Sequence, residues 1–373
     1  MDILTCVDLD SLDVLWFNWR DIKNPDAGGA ELFTHEVARR WAAEGHNVTL
    51  FTSKFPGCRE EEVVDGIRII RDGGRYTVYW RARRNYENRF RNEGYDVVID
   101  EINTRPFMTP RFVDGGEVIL GLIHQLAREY WFYETPFPIS LIGYHFLEKR
   151  WLRNYIDIPM VTVSESTRRD LHSLGLRNVS VVPEGLSTKP LDSLPEKEEK
   201  PTMIFVGRMK KAKLPDHAIE AYRIVSKQIP DAQLWMVGEG YLKERLKAGA
   251  PAGVRFFDNI SDEEKFDLLR RAHVLVMPGL REGWGLVVTE ANALGTPAVA
   301  YDVPGLRDSV RNNVTGVLVP FGKVEKLSRE TIRLLKDEEL RERLSKNALE
   351  RSRDFSWNSA AREFMQIIVT KVV

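Results

Sequence analysis

Between residues 278 and 291 the chain reads Pro278-Gly279-Leu280-Arg281-Glu282-Gly283-Trp284-Gly285-Leu286-Val287-Val288-Thr289-Glu290-Ala291. An apolar run ends at Pro278, two glycines bracket an aromatic, and a helix is expected to begin near Leu286. The start of a helix presents unpaired backbone N–H groups and a partial positive charge, which suits an anion such as a diphosphate. Gly283 and Gly285 carry no Cβ to block a close approach. Glu290 lies four residues past Leu286, one turn along the same face. Its carboxylate can accept paired hydrogen bonds from the two hydroxyls of a ribose. Glu282, in the loop, can reach a second polyol on the other side of the phosphates.

A second group of charges, Gly207-Arg208-Met209-Lys210-Lys211-Ala212-Lys213, follows another apolar run. Arg208 offers a planar fork for phosphate oxygens and Lys213 a movable point charge. Together they suit the charge that grows on a departing nucleoside diphosphate. Gly28-Gly29-Ala30-Glu31 marks another helix start able to face phosphate or an incoming hydroxyl, although a bare Gly-Gly is equally a tight turn. His124 follows the run EVILGLI at its carboxyl end, where it should point into a cleft. The pattern is not G-x-G-x-x-G, and no G-x-x-x-x-G-K-[ST] occurs. Asp8-Leu9-Asp10 reads as a surface acidic stretch remote from the phosphate features. No H-E-x-x-H or clustered His/Cys ligand set supports a metal site.

These residues must be positioned by an α/β scaffold, because short β-branched runs alternate with amphipathic segments throughout. Strands are expected at 12–17, 47–52, 67–71, 96–102, 117–123 and 160–164, and helices at 29–44, 77–93, 139–154 and 165–174. The alternation restarts with strands at 202–207, 232–237, 254–257, 273–278, 297–301 and 315–319. The second set of helices falls at 214–228, 240–248, 261–272, 286–294 and 323–336, and two charged segments, 338–352 and 356–371, close the chain. Between the halves, 188–201 is rich in proline and charge and reads as a linker. The domain expectation is therefore 1–187, a linker at 188–201, 202–355, and a final segment at 356–373. Ligands of such doubly wound domains sit at the carboxyl ends of strands, so two of them should bind in the cleft between.

The 373 residues suit two domains, and 43% hydrophobic against 29% charged residues describes a soluble globular chain. Lys plus Arg total 54 and Asp plus Glu 55, a near-balance that argues against a nucleic-acid-coating protein. Two cysteines, Cys6 and Cys58, exclude a disulfide scaffold and suit a reducing compartment. The longest uncharged stretch, Thr135 to Leu147, is thirteen residues, short of the roughly 18 a membrane span requires. The acidic N-terminal stretch is unlike a secretion signal. A cytoplasmic location follows as the expectation.

With Glu282 and Glu290, Gly207-Arg208 with Lys213, Gly28-Gly29, and Val182-Pro183-Glu184-Gly185-Leu186 in view, the chain resembles the retaining nucleotide-sugar glycosyltransferases of family 4. Those motifs match the family's Glu-x7-Glu, Gly-Arg…Lys, N-terminal glycine loop and Pro-Asn-Gly-Val segment, and the likeness covers nearly the whole length. It implies the GT-B fold, two Rossmann-like doubly wound domains facing a cleft, with an acceptor-binding N-terminal and a donor-binding C-terminal domain. By that likeness Arg208 and Lys213 hold the diphosphate, Glu290 the ribose and Glu282 the donor sugar. Leu286 and Val287 give backbone N–H bonds to phosphate, and His124 sits beside the sugar. Gly28, Gly29, Gly207, Ile260, Gly283, Trp284 and Gly285 complete the donor site, and the final segment containing Phe355-Ser356-Trp357 crosses back to the first domain. No metal or other cofactor is required. Glu184 and Asp258 depart from the pattern, standing where Asn and Gly are usual.

The implied reaction moves a hexose from a UDP- or GDP-sugar to a glycan or lipid-linked acceptor, with retention of configuration. A GT-B nucleotide-sugar 2-epimerase is the enzyme alternative and a catalytically silent binding scaffold the other. Residues 75–91 hold six arginines and one glutamate among Tyr76, Tyr79, Trp80, Tyr86 and Phe90. Such a basic aromatic helix can lie on an anionic membrane surface, and 130–147 adds a second aromatic-rich stretch. Peripheral contact with the inner membrane face through both is the expectation, with no nucleic-acid partner.

Overall fold

Runs of β-branched and aromatic residues that are apolar on both faces form the centre of two separate sheets, as parallel strands covered on each side require. The structure, a computed structural model, describes residues 11–372, so Cys6 and Asp8-Leu9-Asp10 lie outside it. The first sheet contains β1 (Asp13–Phe17), β2 (Asn47–Thr52), β3 (Glu61–Val64), β4 (Ile67–Arg71), β5 (Val97–Glu101), β6 (Val118–Ile123), β7 (Met160–Thr162) and β8 (Val179–Val181). Their order is β3-β4-β2-β1-β5-β6-β7-β8, and every pair is parallel except the β3–β4 hairpin. The second sheet has β9 (Thr202–Val206), β10 (Gln233–Val237), β11 (Val254–Phe257), β12 (Val274–Met277), β13 (Ala298–Tyr301) and β14 (Gly316–Val319), in the order β11-β10-β9-β12-β13-β14.

In each sheet the chain starts in the middle and winds outward both ways. β1 lies between β2 and β5, with Trp16 opposite Leu50 and Ile99, and β9 lies between β10 and β12. Strand order therefore reverses beside β1 and beside β9, which opens a crevice outside the carboxyl ends of those strands. The loop to Gly28-Gly29 leaves β1, Arg208 leaves β9, and Glu282 leaves β12, so all three open onto these crevices.

Two strands were not expected. Glu61–Val64 is a charged edge strand joined to β4 through Asp65 and Gly66, both with positive φ (49° and 83°). Asp-Gly between two such runs is a hairpin signal, obscured by the two glutamates. Val179–Val181 is too short for any periodicity. Segment 188–201 has no regular structure but is pinned to the C-terminal lobe. Leu191 N donates to Ala293 O (2.9 Å), and the buried Lys197 Nζ donates to Thr296 Oγ1 (2.7 Å) and Arg270 O (2.9 Å). Burial, with Arg341 and Arg270 adding to it, pushes Lys197 down to about 7.

The basic aromatic segment needs correction. Helix Val78–Asn85 continues through a π turn, Tyr86–Phe90, and Val78, Ala82, Tyr86 and Phe90 are fully buried against Phe17, Phe51 and Phe112. Its aromatic face is core, because the apolar period faces the sheet, and only Tyr76 and Trp80 stay exposed. Arg83, Arg89 and Arg91 are paired with Glu87, Glu93 and Asp114. The 130–147 stretch does the opposite. Phe137 and Phe146 are 78% and 68% exposed, and Ile139, Leu141 and Ile142 lie beside them on the surface. No helix among the described residues is long and apolar enough to cross a membrane.

The last helix, Trp357–Val372, completes the core of the N-terminal lobe. Phe364 is fully buried, 5.2 Å from the Trp41 ring centre and 5.7 Å from that of Trp16, and Trp41 Nε1 donates to Ala361 O (2.9 Å). Trp41 itself comes from helix Gly29–Ala43, so this contact clamps the helix that begins at Gly29. Phe364→Ala should lower stability by about 3–5 kcal/mol, read by urea unfolding through tryptophan emission, while the exposed neighbour substitution Glu363→Ala leaves it nearly unchanged.

Candidate functional site

Three loops build the site, each fixed by the strand it leaves. The loop after β9 is held to the loop after β10: Gly207 N donates to Val237 O (3.0 Å) and Met209 N to Glu239 O (2.7 Å). It then makes one tight turn, Lys211–Lys213. Leu280 N donates to Ala212 O (2.9 Å), which ties the loop after β12 to it. That tie brings Lys213 onto Glu282, and the two form a close ion pair. Burial works against the Lys213 charge, but Glu282 more than offsets it and raises the pKa.

The cations outnumber their partners. Arg208 is exposed, and Lys210 lies with its Nζ 5.3 Å from the Tyr130 ring centre. Among the described residues neither has a carboxylate within salt-bridge distance. Burial, then Lys213 and Arg208, push Lys210 down to about 8. Helix Leu286–Ala293 begins facing this cluster, with Gly285 at a φ of +97° before it and no side chain capping its first N–H groups. Leu286 and Val287 supply the first two of those groups, which have no acceptor within a helix. Positive charge and free donors thus converge on one space.

The opposite wall comes from the N-terminal lobe. Gly28 N is capped by Glu31 Oε2 (2.7 Å), and Glu31 also holds Arg20 (2.9 Å). A side chain at Gly28 would collide with the Arg208 guanidinium, and one at Gly29 would press on Leu286. Gly283 performs the matching service from the other side, since a Cβ there would meet His124 O at 3.0 Å. The glycines expected to admit a ligand therefore admit the facing lobe. Arg281, buried, closes the junction through Asp170 and Glu129 (3.1 Å), and Tyr130 Oη donates to Arg281 O (3.0 Å).

Of the residues expected at the site, Gly28, Gly29, Gly207, Arg208, Lys213, Glu282, Gly283, Gly285, Leu286 and Val287 come together at this junction. Glu290 is there but buried, with Lys265 Nζ 3.3 Å away, and burial raises its pKa against that lysine. Ile260 packs half-buried against the C-terminal core. Trp284 is corrected. Its indole is 6% exposed, set edge-on to Phe355 (5.3 Å) and packed in the N-terminal core, so it joins the lobes rather than facing a ligand.

His124 is not a free cleft residue either. Its ring is buried between Glu184 (Nδ1 to Oε1, 3.2 Å) and Glu101 (Nε2 to Oε1, 3.5 Å), edge-on to Phe33. Burial opposes its charge, but the two carboxylates prevail and raise it to about 10. Burial pushes Glu184 up, with Glu282 adding and His124 and Lys213 opposing, so this residue also senses the phosphate-side pair. Glu184 and Lys210 lie in stretches that the sequence already marks, although no role for them follows from it. Glu101, Arg20 and Arg281 have no local signal and meet the site only in three dimensions.

The glycosyl transferases group 1 family matches residues 188–351 and the family named Glycosyltransferase Family 4 matches residues 27–189. A phosphatidyl-myo-inositol mannosyltransferase of Mycobacterium leprae is 31% identical over 57% of this chain, which spans 59% of that relative's length. A sucrose-phosphate synthase from Thermosynechococcus elongatus superposes with a TM-score of 0.78 at 21% identity, covering 96% of this chain and 98% of the other. The Anabaena protein HepE in complex with UDP-glucose gives 0.73 at 13% identity, over 96% and 100%.

The His124 clamp makes a pH prediction. A histidine raised from about 6.5 to about 10 contributes stability that is whole below pH 6.5 and lost as pH climbs toward 10. In an NMR titration His124 should stay protonated at pH 8 and Glu184→Gln should bring its titration back toward neutrality, with about 1.5–3 kcal/mol of stability lost. A wild-type ring titrating near pH 6.5 would sink the clamp.

Proposed function

The chain belongs to glycosyltransferase family 4, with the GT-B fold, and from that premise we propose that it is a retaining hexosyltransferase that uses a nucleotide diphosphate sugar. The observation that carries this reading is the excess of cations, Arg208, Lys210 and Lys213 against the two carboxylates of Glu282 and Glu134, the latter bonded to Ala212 N (2.8 Å), beside the start of helix Leu286–Ala293. An anion of more than one charge is the ligand such a cluster suits. The Anabaena fold-mate holds UDP-glucose, which supports a sugar nucleotide as that anion.

In the reaction the bond from the anomeric carbon to the diphosphate oxygen breaks and a bond to the acceptor oxygen forms. The acceptor proton ends on a phosphate oxygen, and the nucleoside diphosphate leaves. Charge grows on the leaving oxygens, where Arg208 and Lys213 and the helix N–H groups stand, so the stabilisation needs no metal. Glu282, freed from Lys213 by the arriving phosphates, is placed for the sugar hydroxyls and Glu290 for the ribose. Attack on the same face of the sugar gives retention, with the acceptor held by the N-terminal lobe. Proximity of that hydroxyl is itself worth about 7–11 kcal/mol in the best oriented cases.

The exposed apolar surface of 130–147 supports a lipid-linked acceptor reached at a membrane. Ile139, Ile142 and Phe146 repeat on one helical face, with Lys149, Arg150 and Arg153 exposed beyond them. That combination lies at an interface, apolar face in the acyl boundary and basic groups at anionic headgroups.

Two measurements test these readings. Lys213→Ala and Glu282→Gln should each reduce transfer by about 100-fold or more while circular dichroism stays native; full activity in both would end the assignment. Phe137→Ser with Ile142→Ser and Phe146→Ser should abolish co-sedimentation with anionic liposomes, and unchanged binding would remove the membrane reading.

A further inference from the structure

The N-terminal lobe holds a second gathering of cations away from the loop after β9. Arg20 follows β1, Arg75 follows β4, and Arg105 follows β5 in a tight turn where Thr104 takes a φ of +77° and the backbones of Asn103 and Arg105 pair. All three lie beyond the carboxyl ends of parallel strands of one sheet, the edge at which such sheets bind ligands. Their guanidinium groups converge on two rings. Arg20 Cζ is 4.1 Å and Arg75 Cζ 5.8 Å from the Trp19 ring centre, and Arg105 Cζ is 4.4 Å from that of Tyr79. Tyr79 feels all three: burial raises its hydroxyl to about 12, and Arg105, Arg20 and Arg75 each pull it back.

Only Arg20 is neutralised, by Glu31 (2.9 Å). Among the described residues Arg75 and Arg105, both exposed, have no carboxylate within salt-bridge distance. Contact with an aromatic face attracts a guanidinium without using its N–H donors, so these groups are held near the rings with donors to spare. Three such forks suit the anionic oxygens of a phosphate ester, three in a monoester and two in a diester, whereas a neutral glycan would call for amide or carboxylate partners. Arg20 is also near enough to Arg208 for that charge, after burial and alongside Glu31, to lower its pKa. The gathering therefore adjoins the diphosphate side of the cleft.

We propose that Arg20, Arg75 and Arg105 form the acceptor subsite, and that the acceptor is a polyol or sugar bearing a phosphate ester. The inference rests on reading the chain as a transferase with its acceptor in this lobe. The phosphate anchors one end of the acceptor at the arginines and leaves a hydroxyl directed toward the donor sugar. A free sugar phosphate and a phospholipid headgroup share this chemistry.

The test is calorimetric titration of the full chain saturated with UDP or GDP, so that the donor phosphate positions are filled. The probes are glucose 6-phosphate, glucose, and phosphatidylcholine vesicles with and without phosphatidylglycerol. Glucose 6-phosphate should bind more tightly than glucose, and vesicles with phosphatidylglycerol more tightly than phosphatidylcholine alone, whose phosphate is already neutralised by choline; Arg75→Ala with Arg105→Ala should weaken the tighter binding about tenfold or more without changing nucleotide affinity. A loss confined to glucose 6-phosphate assigns the phosphate to a soluble acceptor, and a loss confined to vesicles assigns it to a lipid. Equal affinity of the double variant and the parent for both phosphate probes, or glucose bound as tightly as glucose 6-phosphate, overturns the subsite. A chain that ignores UDP and GDP yet shows the arginine dependence would overturn the donor reading and leave this site standing.

Discussion

Uncompensated positive charge at the mouth of the cleft is the constraint around which the rest is arranged. Arg208, Lys210 and Lys213 lie within six consecutive positions, and Lys210 is already driven down to about 8 by burial and by the other two. Like charges held this close repel, and the repulsion is tolerable only where the backbone fixes them and an opposite charge answers them. The fixing comes from main-chain bonds of this loop to Val237 and Glu239 and to the loop after β12. Within the chain the answer comes from Glu282, with Glu134 at Ala212 N, and in the proposed reaction it is the diphosphate.

That arrangement depends on two lobes meeting closely. Gly28 leaves room for Arg208, Gly283 leaves room for His124, and Arg281 reaches across to Asp170 and Glu129. The last helix and Trp284 tie the lobes further, because the core of the N-terminal lobe contains side chains from the C-terminal half of the chain. Side chains that looked like ligand contacts are thus consumed by the junction, while His124 becomes a buried cation between Glu101 and Glu184. The same economy explains the N-terminal face: the aromatic period of 78–90 supplies core, and surface apolarity is left to 137–146.

The alternation of apolar runs and amphipathic segments makes both sheets legible from sequence, since strands covered on both sides need continuous apolar residues and each turn back needs a helix. The donor loop was equally legible because its parts are adjacent: a strand end, two glycines, a helix start and two glutamates eight residues apart. The hairpin at Asp65-Gly66 was within reach of the same reasoning but was masked by Glu61 and Glu62. Residues such as Glu101, Arg20 and Arg281 carry no local signature, and their roles come from distant partners, 83 residues separating Glu101 from Glu184.

By itself, then, the order of residues determined what is local or periodic: two doubly wound lobes, the loops that leave β1, β9 and β12, and the charges those loops carry. Tertiary structure decided which of those charges face one another, that Trp284 and the 78–90 aromatics are buried while Phe137 and Phe146 are not, and that Arg20, Arg75 and Arg105 gather on Trp19 and Tyr79. The reason is physical. Propensity and periodicity act over a few neighbouring residues, whereas burial and Coulomb interaction depend on distances that only the packed chain creates.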